Sequence, residues 1–338
     1  MVKFLASGDW HLRSYGSFQP FNVVEANGLT RELNNALLGL KLKAKTILEK
    51  RPEVVIIMGD VFHHPEGQDA RTIHAAALAM GWIREACDEV GAVLEIFPGQ
   101  HDIFSEAHGI TCLDTLCRYG SLSKEFVIKE RQGVTYAIVP YCSDKERLYQ
   151  WLLEAQAADL IFAHLDVMGA RYENGALSES QVSPNLSKPC FAGDIHLAQE
   201  VGAVVYSGSM VQNRFNRYDL DGVGGMLCVE ADGVGASWSR ILNDQSRHYI
   251  KVRDVQRFLE QGIPPERCVL QVITDQDRGD VEGLLGDYEW TYMPAERTTD
   301  ESNLSGGVDR SDPESLMRAY LAENHPELLE TFEGVKLF

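Results

Sequence analysis

Aspartate and histidine recur in this chain in short groups, each directly after a run of apolar residues. The groups are "SGDWH" (Asp9, His11), "MGDVFHH" (Asp60, His63, His64), "PGQHD" (Gln100, His101, Asp102), "FAHLD" (His164, Asp166) and "FAGDIH" (Asp194, His196). Carboxylate, imidazole and amide oxygen are ligands for Mn²⁺, Fe and Zn²⁺, and two such ions about 3.5 to 4 Å apart suit phosphoryl chemistry. In Asp9-x-His11 two alternate positions at a strand end reach one ion, and the two oxygens of Asp60 can bridge two. One such group is weak evidence, because a buried histidine is more often a packed core residue than a ligand. Five in succession, each ending an apolar run, point to one joint site.

The elements that must position these groups are short strands: Val2 to Ala6, Val54 to Met58, Ala92 to Phe97, Val134 to Val139, Leu160 to Ala163 and Ala203 to Tyr206. Between them, residues 31 to 50 carry Leu33, Leu37, Leu40, Ala44 and Leu48 at helical spacing; residues 70 to 90 and 144 to 157 also read as helices. Alternating strands and helices predict βαβ units in a sheet with helices on its faces. In such sheets ligands gather at the carboxyl ends of the strands, where rigid elements fix the loops. The Gly-rich alternation of 222 to 241 predicts a closing hairpin.

After about Asp244 the pattern restarts with strands at 248 to 252, 267 to 275 and 288 to 293 and a short helix near 277 to 286. The expected organisation is therefore a large domain over 1–245, a small α/β domain over 246–297, a Gly/Ser-rich linker over 298–311 and a helical segment over 312–338. Asp312-Pro313-Glu314 supplies an N-cap, a proline at the first helical position and an acid in the first turn. The stripe that follows (Leu316, Met317, Tyr320, Leu321, then Leu328, Leu329, Phe332) needs a cover, from its own chain or from a partner.

Composition narrows the function class. The 338 residues carry a formal charge of −19, which argues against a broad electrostatic nucleic-acid surface. Residues 251 to 338 hold −10 of it, and bound cations would reverse the local field of acids in the first part. No apolar run approaches the roughly 18 to 20 residues that cross a bilayer, and the first residues read as a strand rather than a signal peptide, so a cytoplasmic protein with no membrane association is expected. The seven scattered cysteines form no zinc-type pair and read as buried free thiols.

The order of these motifs resembles that of the calcineurin-like metallophosphoesterase superfamily, which runs Asp-x-His, Gly-Asp, Gly-Asn-His-Asp/Glu, His, Gly-His-x-His. His63 in "GDVFH", "YSGS" at 206–209, and a small domain followed by a helix are most similar to the SbcD-type DNA repair and recombination nuclease subunits of bacteria and phages. The likeness spans roughly residues 1 to 245 by motif and the remainder by architecture only.

That resemblance implies an α/β fold: a metallophosphoesterase β-sandwich of mixed sheets flanked by helices, with a small α/β capping, DNA-binding domain and a C-terminal helical segment. It implies that Asp9, His11 and His196 hold one divalent ion, that Asp60 bridges, and that Gln100, His164 and Asp194 complete the second. His101 would stand near the scissile phosphate and donate to the leaving oxygen, Asp102 would orient it, and His63 would position the DNA backbone. The implied activity is 3′-to-5′ exonuclease cleavage of duplex DNA and endonuclease cleavage of single strands or hairpins. The implied partners are an SbcC-like coiled-coil ATPase, bound through 312–338, and a second copy of the chain in a homodimer.

Two positions depart from the family pattern. Gln100 stands where the family has Asn, and Asp194 where it has His. Neither change removes a donor, and a third carboxylate beside Asp9 and Asp60 shifts the expected cofactor to two Mn²⁺ ions, with Mg²⁺ as the alternative, and away from Zn²⁺. Arg13, Lys41, Lys43, Lys45 and Arg214 are candidates for phosphate contacts, each with a bland reading as a solvated surface charge. Two rival readings remain at this level: a small-molecule phosphomonoesterase or cyclic-nucleotide phosphodiesterase on the same scaffold, and a metal-poor subunit that docks the ATPase and cuts nothing.

Overall fold

In the computed structural model, Val2, Phe4 and Ala6 of strand β1 (Val2–Ser7) pack into one core while Leu5 packs into another. Strand β2 (Val54–Met58) does the same, with Val54, Ile56 and Met58 on one side and Val55 and Ile57 on the other. Side chains alternate across a strand, so burial of both faces explains why these segments read as unbroken apolar runs. The structure describes residues 1–14, 23–212 and 223–294.

The remaining elements follow in chain order. Helix α1 (Arg31–Lys50) precedes β2, and α2 (Ala70–Val90) lies between β2 and β3 (Val93–Phe97). Short strands β4 (Ile103–Ser105), β5 (Ile110–Thr111) and β6 (Ser121–Leu122) lead to β7 (Val127–Arg131), β8 (Val134–Val139) and helix α3 (Lys145–Ala155). Then come β9 (Leu160–His164), β10 (Cys190–Gly193), β11 (Gln199–Val201), β12 (Val204–Tyr206), β13 (Gly225–Ala231) and β14 (Ala236–Leu242). Last are β15 (His248–Val252), α4 (Val255–Leu259), β16 (Cys268–Thr274), α5 (Arg278–Leu285) and β17 (Glu289–Pro294).

Two six-stranded mixed sheets result, ordered β14-β13-β1-β2-β3-β6 and β11-β12-β10-β9-β8-β7. Their facing surfaces share one apolar layer, in which Phe4, Ile56 and Met58 of the first sheet meet Tyr136, Phe162 and Phe191 of the second. Helices α1 and α2 cover the outer face of the first sheet, and Leu148, Trp151 and Leu152 of α3 cover the second. The expected α/β sandwich of mixed sheets flanked by helices is thus the observed one. β1, β2 and β3 run parallel, as do β9, β10 and β12, so the loops at their carboxyl ends can share one rim.

Helix limits follow local chemistry. Thr30 caps α1 by accepting from Leu33 N–H, and Asp69 caps α2 by accepting from Thr72 N–H at 2.8 Å. Gly91 ends α2 in the left-handed conformation that glycine adopts without steric cost. The third sheet, β15-β16-β17, has its own core around Ile250, Leu270 and Val281. Asn35 of α1 fastens it, donating to Arg247 O at 3.1 Å and to Tyr249 Oη at 3.2 Å.

The β4–β5 hairpin, β6, β7, β11 and α4 were not expected from the sequence, and β10 was expected only as an apolar stretch before Asp194. The linker 298–311, the segment 312–338 and Arg214 lie outside the described residues. All seven cysteines are free; Cys87, Cys142, Cys190 and Cys268 are buried, whereas Cys117 is exposed, contrary to expectation. Among the described residues, no helix is long and apolar enough to cross a membrane.

One lysine overturns its expectation. Lys43 is not a solvated charge: its side chain is fully buried, and Nζ donates to Ser7 Oγ at 2.7 Å and to Ile56 O at 3.1 Å. Its position on the inner face of α1 places it beneath the two strands that carry Asp9 and Asp60.

Candidate metal centre at the strand ends

The rim is held together by its own backbone. Asp9 N–H donates to Gly59 O at 3.0 Å, and Trp10 and His11 N–H both donate to Asp60 O at 2.8 and 2.9 Å, which ties the loops after β1 and β2. His101 N–H donates to Asp60 Oδ1 at 2.9 Å, and Asp194 N–H to Asp9 Oδ1 at 2.9 Å, which brings in the loops after β3 and β10. Six non-glycine residues among those described have positive φ, and four are Asp9 (55°), His11 (45°), Asp60 (52°) and Asp194 (91°). Such conformations are uncommon outside glycine and persist only where the surroundings enforce them, so strain concentrates at this rim.

Glycine permits the crowding. A side chain at Gly99 would collide with Asp60 Oδ1 and the His164 ring, and Gly193 lies against Met58 O and Asp9 Oδ2.

The side chains form two adjoining constellations. One ligating atom from each of Asp9, His11 and His196 lies within 4.8 Å of the others, and the same holds for Asp9, Asp60 and His164. Asp60 faces both sides: Oδ2 is 3.5 Å from His11 Nε2, and Oδ1 is 3.6 Å from His164 Nε2. Asp194 Oδ1 lies 3.9 Å from His164 Nε2, and Gln100 Nε2 lies 3.3 Å from the same oxygen.

Tautomers follow from the neighbours. His164 Nδ1 faces Met58 O at 2.8 Å, and a carbonyl only accepts, so Nδ1 carries a proton and Nε2 points at the carboxylates. His101 Nδ1 likewise donates to His63 O at 2.7 Å, which leaves its Nε2 for chemistry. Glu173 Oε2 stands 3.5 Å from His196 Nδ1, favouring a proton there and a lone pair on Nε2. Glu173 gave no signal in the sequence, because it sits in the long connection between β9 and β10.

Electrostatics set the demand for a cation. Burial pushes Asp60 well above the usual carboxylate range and raises Asp9, while Asp194 is pushed up to about 6. Burial also lowers His164, but Asp60, Asp194 and Asp9 outweigh it and raise the imidazole to about 9. Burial, together with the surrounding histidines, holds His11 well below its ordinary value. Asp9 Oδ2 and His164 Nε2 are buried atoms without a hydrogen-bond partner. Orphaned donors aimed inward, beside three carboxylates that resist ionising alone, fit bound divalent cations.

One expected role changes. Asp102 does not orient His101: it is fully buried, and its two oxygens accept from Phe62 and Gly99 N–H, each at 3.1 Å. It shapes the turn, and the His63 carbonyl orients His101 instead. Asp166 accepts from Tyr172 Oη at 2.6 Å and Ser178 Oγ at 2.5 Å, which makes it a loop anchor. His63 is buried beside His11, His64 is exposed, and Arg13 is turned onto Glu32 at 2.8 Å. Lys41 lies over Trp82, and Lys45 pairs with Glu49. A cavity of about 650 Å³ opens beside the centre, lined by His101, His164 and His196 together with Tyr141, Lys145 and Tyr172.

No protein-family model matches the chain, and neither does any curated protein. Among solved structures, one described as a novel archaeal phosphodiesterase is similar at 10% identity and a TM-score of 0.34, over 71% of this chain and 99% of that one. A glutamine-dependent NAD⁺ synthetase from Acinetobacter baumannii is similar at 10% identity and a TM-score of 0.34, over 98% of this chain and 69% of that one. At such scores the chemistry rests on the side chains themselves.

Proposed function

We propose that this chain is a metallophosphoesterase, and specifically a two-metal DNA phosphodiesterase of the SbcD type. The observation that carries the reading is Asp60, whose two oxygens face His11 on one side and His164 on the other within a rim of strained, interlocked loops. Asp9, His11 and His196 would hold one ion, and Gln100, His164 and Asp194 the second, with Asp60 between them. When bound, the ions supply charge stabilisation for the phosphoryl oxygens and acidify a water molecule.

The chain's own residues do the rest. His101, fixed through Nδ1 on His63 O, presents Nε2 toward the cavity, where in its protonated form it gives a proton to the departing sugar oxygen. Asp102 holds the turn that carries His101, and His63 backs it. Three carboxylates and an amide oxygen beside three imidazoles, where the pattern has one carboxylate fewer, favour Mn²⁺, or Mg²⁺, over Zn²⁺. In this reading the chain works as a homodimer with a coiled-coil ATPase that engages 312–338 and supplies much of the DNA affinity that a −19 chain lacks.

A small-molecule phosphoesterase is the second reading. It is favoured by the cavity, whose volume of about 650 Å³ suits a single small ligand, and by the occupation of Arg13 with Glu32. End-labelled duplex DNA and a chromogenic phosphodiester, each incubated with Mn²⁺, Mg²⁺ or EDTA, separate the two. Metal-dependent DNA cleavage that is lost in His101→Ala supports the nuclease; turnover of the small ester without DNA cleavage, even with an ATPase partner present, supports the rival. Inactivity on both, with no bound metal, means a docking subunit.

A further inference from the structure

His11 divides its two ring nitrogens between two different neighbourhoods. Nε2 faces His196 Nε2 at 2.9 Å and Asp60 Oδ2 at 3.5 Å, inside the centre described above. Nδ1 faces His63 Nδ1 at 3.5 Å. One nitrogen from each of His11, His63 and His101 lies within 4.8 Å of the others, and His101 contributes Nε2 because its Nδ1 is bound to His63 O.

We infer that His11, His63 and His101 form a separate, inhibitory site for a borderline-soft divalent cation of the Zn²⁺ class. Four-coordinate zinc with Zn–N bonds of about 2.0–2.1 Å places its nitrogens roughly 3.3–3.4 Å apart. The His11–His63 separation of 3.5 Å already meets that spacing and is long for a hydrogen bond. Among the described residues this set is three imidazoles and no carboxylate, which selects Zn²⁺ over Mn²⁺ or Mg²⁺, whereas the neighbouring oxygen-rich centre has the opposite preference. Rings of His63 and His101 lie nearly parallel, 8° apart with centroids at 5.5 Å, and half-buried His101 borders the open cavity, which gives the cation a route in.

Inhibition follows from the single lone pair of a neutral imidazole. Zinc on His11 Nδ1 requires the ring proton to move to Nε2, which then no longer serves the set with Asp9 and His196. The same ion occupies His101 Nε2. The two ions on His11 are therefore mutually exclusive, and the mechanism of exclusion rests on the two-metal reading proposed above.

The test uses the full chain loaded with Mn²⁺ and titrated with Zn²⁺. Free Mn²⁺ is followed by its electron paramagnetic resonance signal, and bound metals by elemental analysis. The first zinc equivalent is expected to release one Mn²⁺ per chain, and Co²⁺ in its place to give the strong visible absorption of a four-coordinate ion. His63→Ala and His63→Asn should each weaken zinc by at least about tenfold while leaving Mn²⁺ stoichiometry unchanged, which also reports that the centre has folded. Equal zinc affinity in wild type and both variants, or zinc uptake without Mn²⁺ release, overturns the inference. A wild-type chain that takes up no Mn²⁺ overturns the two-metal reading instead, and the comparison of zinc affinities still decides whether the trihistidine site exists.

Discussion

His11 Nε2 and His196 Nε2 lie 2.9 Å apart, brought together from 185 positions apart in the chain. Glu173 near the other nitrogen of His196 and the unpartnered Asp9 Oδ2 beside them complete a set in which one ligand atom each of Asp9, His11 and His196 lies within 4.8 Å of the others, which fits one cation. His196→Ala should therefore reduce bound Mn²⁺ from two ions per chain to one. Equilibrium dialysis reads the count, and an unchanged stoichiometry would remove His196 from the ligand set.

Burial of Asp9, Asp60 and Asp194 as carboxylates that His164 compensates only in part costs stability that bound cations offset. A ligand that binds only the folded chain at a hundred times its Kd adds about 2.7 kcal/mol. With an unfolding entropy of about 2.1 cal/mol/K per residue, each kcal/mol moves the Tm of a 338-residue chain by roughly 1.5 °C, so Mn²⁺ over EDTA should raise Tm by roughly 4 °C for each ion bound. Asp60→Asn, which withdraws charge from both sides, should abolish most of that rise and lower kcat on the order of 10³-fold. A full rise in the variant would exclude Asp60 as the bridge.

Asp194 supplies an oxygen 3.9 Å from His164 Nε2 where a histidine nitrogen would soften the site. Asp194→His should shift the ratio of Zn²⁺ to Mn²⁺ affinity toward zinc by about tenfold or more. Competition between the two ions measures it, and an unmoved ratio would mean that Asp194 is not a ligand.

The strands and the three long helices could be read from the sequence because burial on two faces leaves an unbroken apolar run, and burial on one leaves a 3.6-residue period. Short edge strands such as Gln199–Val201 leave neither mark, since pairing alone defines them. The site residues were legible because each follows such a run. Glu173 was not, because a long loop carries it to His196 without any local pattern, and the burial of Lys43 was not, because a lysine on a helix ordinarily reads as a solvated charge whereas this one shares the buried face of α1 with Leu40, Ala44 and Ile47. Asp102 had both a turn reading and a catalytic one, and only its two backbone N–H partners decide for the turn.

Lys43 predicts a pH dependence. Burial lowers its ammonium from 10.5 to about 7, with Cys87 opposing slightly. The unfolded chain thus holds more protons on this group between about pH 7 and 10.5, and stability contributed by Lys43 rises with pH across that window. Lys43→Met keeps the length and removes the charge. The difference in urea midpoint between variant and wild type should be largest in the variant's favour near pH 6.5 and shrink by pH 9.5; a constant difference would mean that Lys43 stays charged in the fold.

Gly99 offers the sharpest test of how tightly the rim is built. It precedes the Gln100–Asp102 turn, and an added methyl would meet Asp60 Oδ1, Asp60 N and the His164 ring at distances that real side chains do not tolerate. The oxygen it would displace is the one that faces His164, so the damage falls on the position between the two constellations rather than on the core. Gly81 in α2 has open space around its Cβ position and ordinary φ, and alanine there should stabilise by about 0.4–1 kcal/mol through loss of unfolded-state freedom. Gly99→Ala should bind fewer than two Mn²⁺ and lose most activity while its circular dichroism matches wild type, with Gly81→Ala fully active as the control. If Gly99→Ala binds both ions normally, the close packing of the β2 and β3 loops is not what sets the position of Asp60.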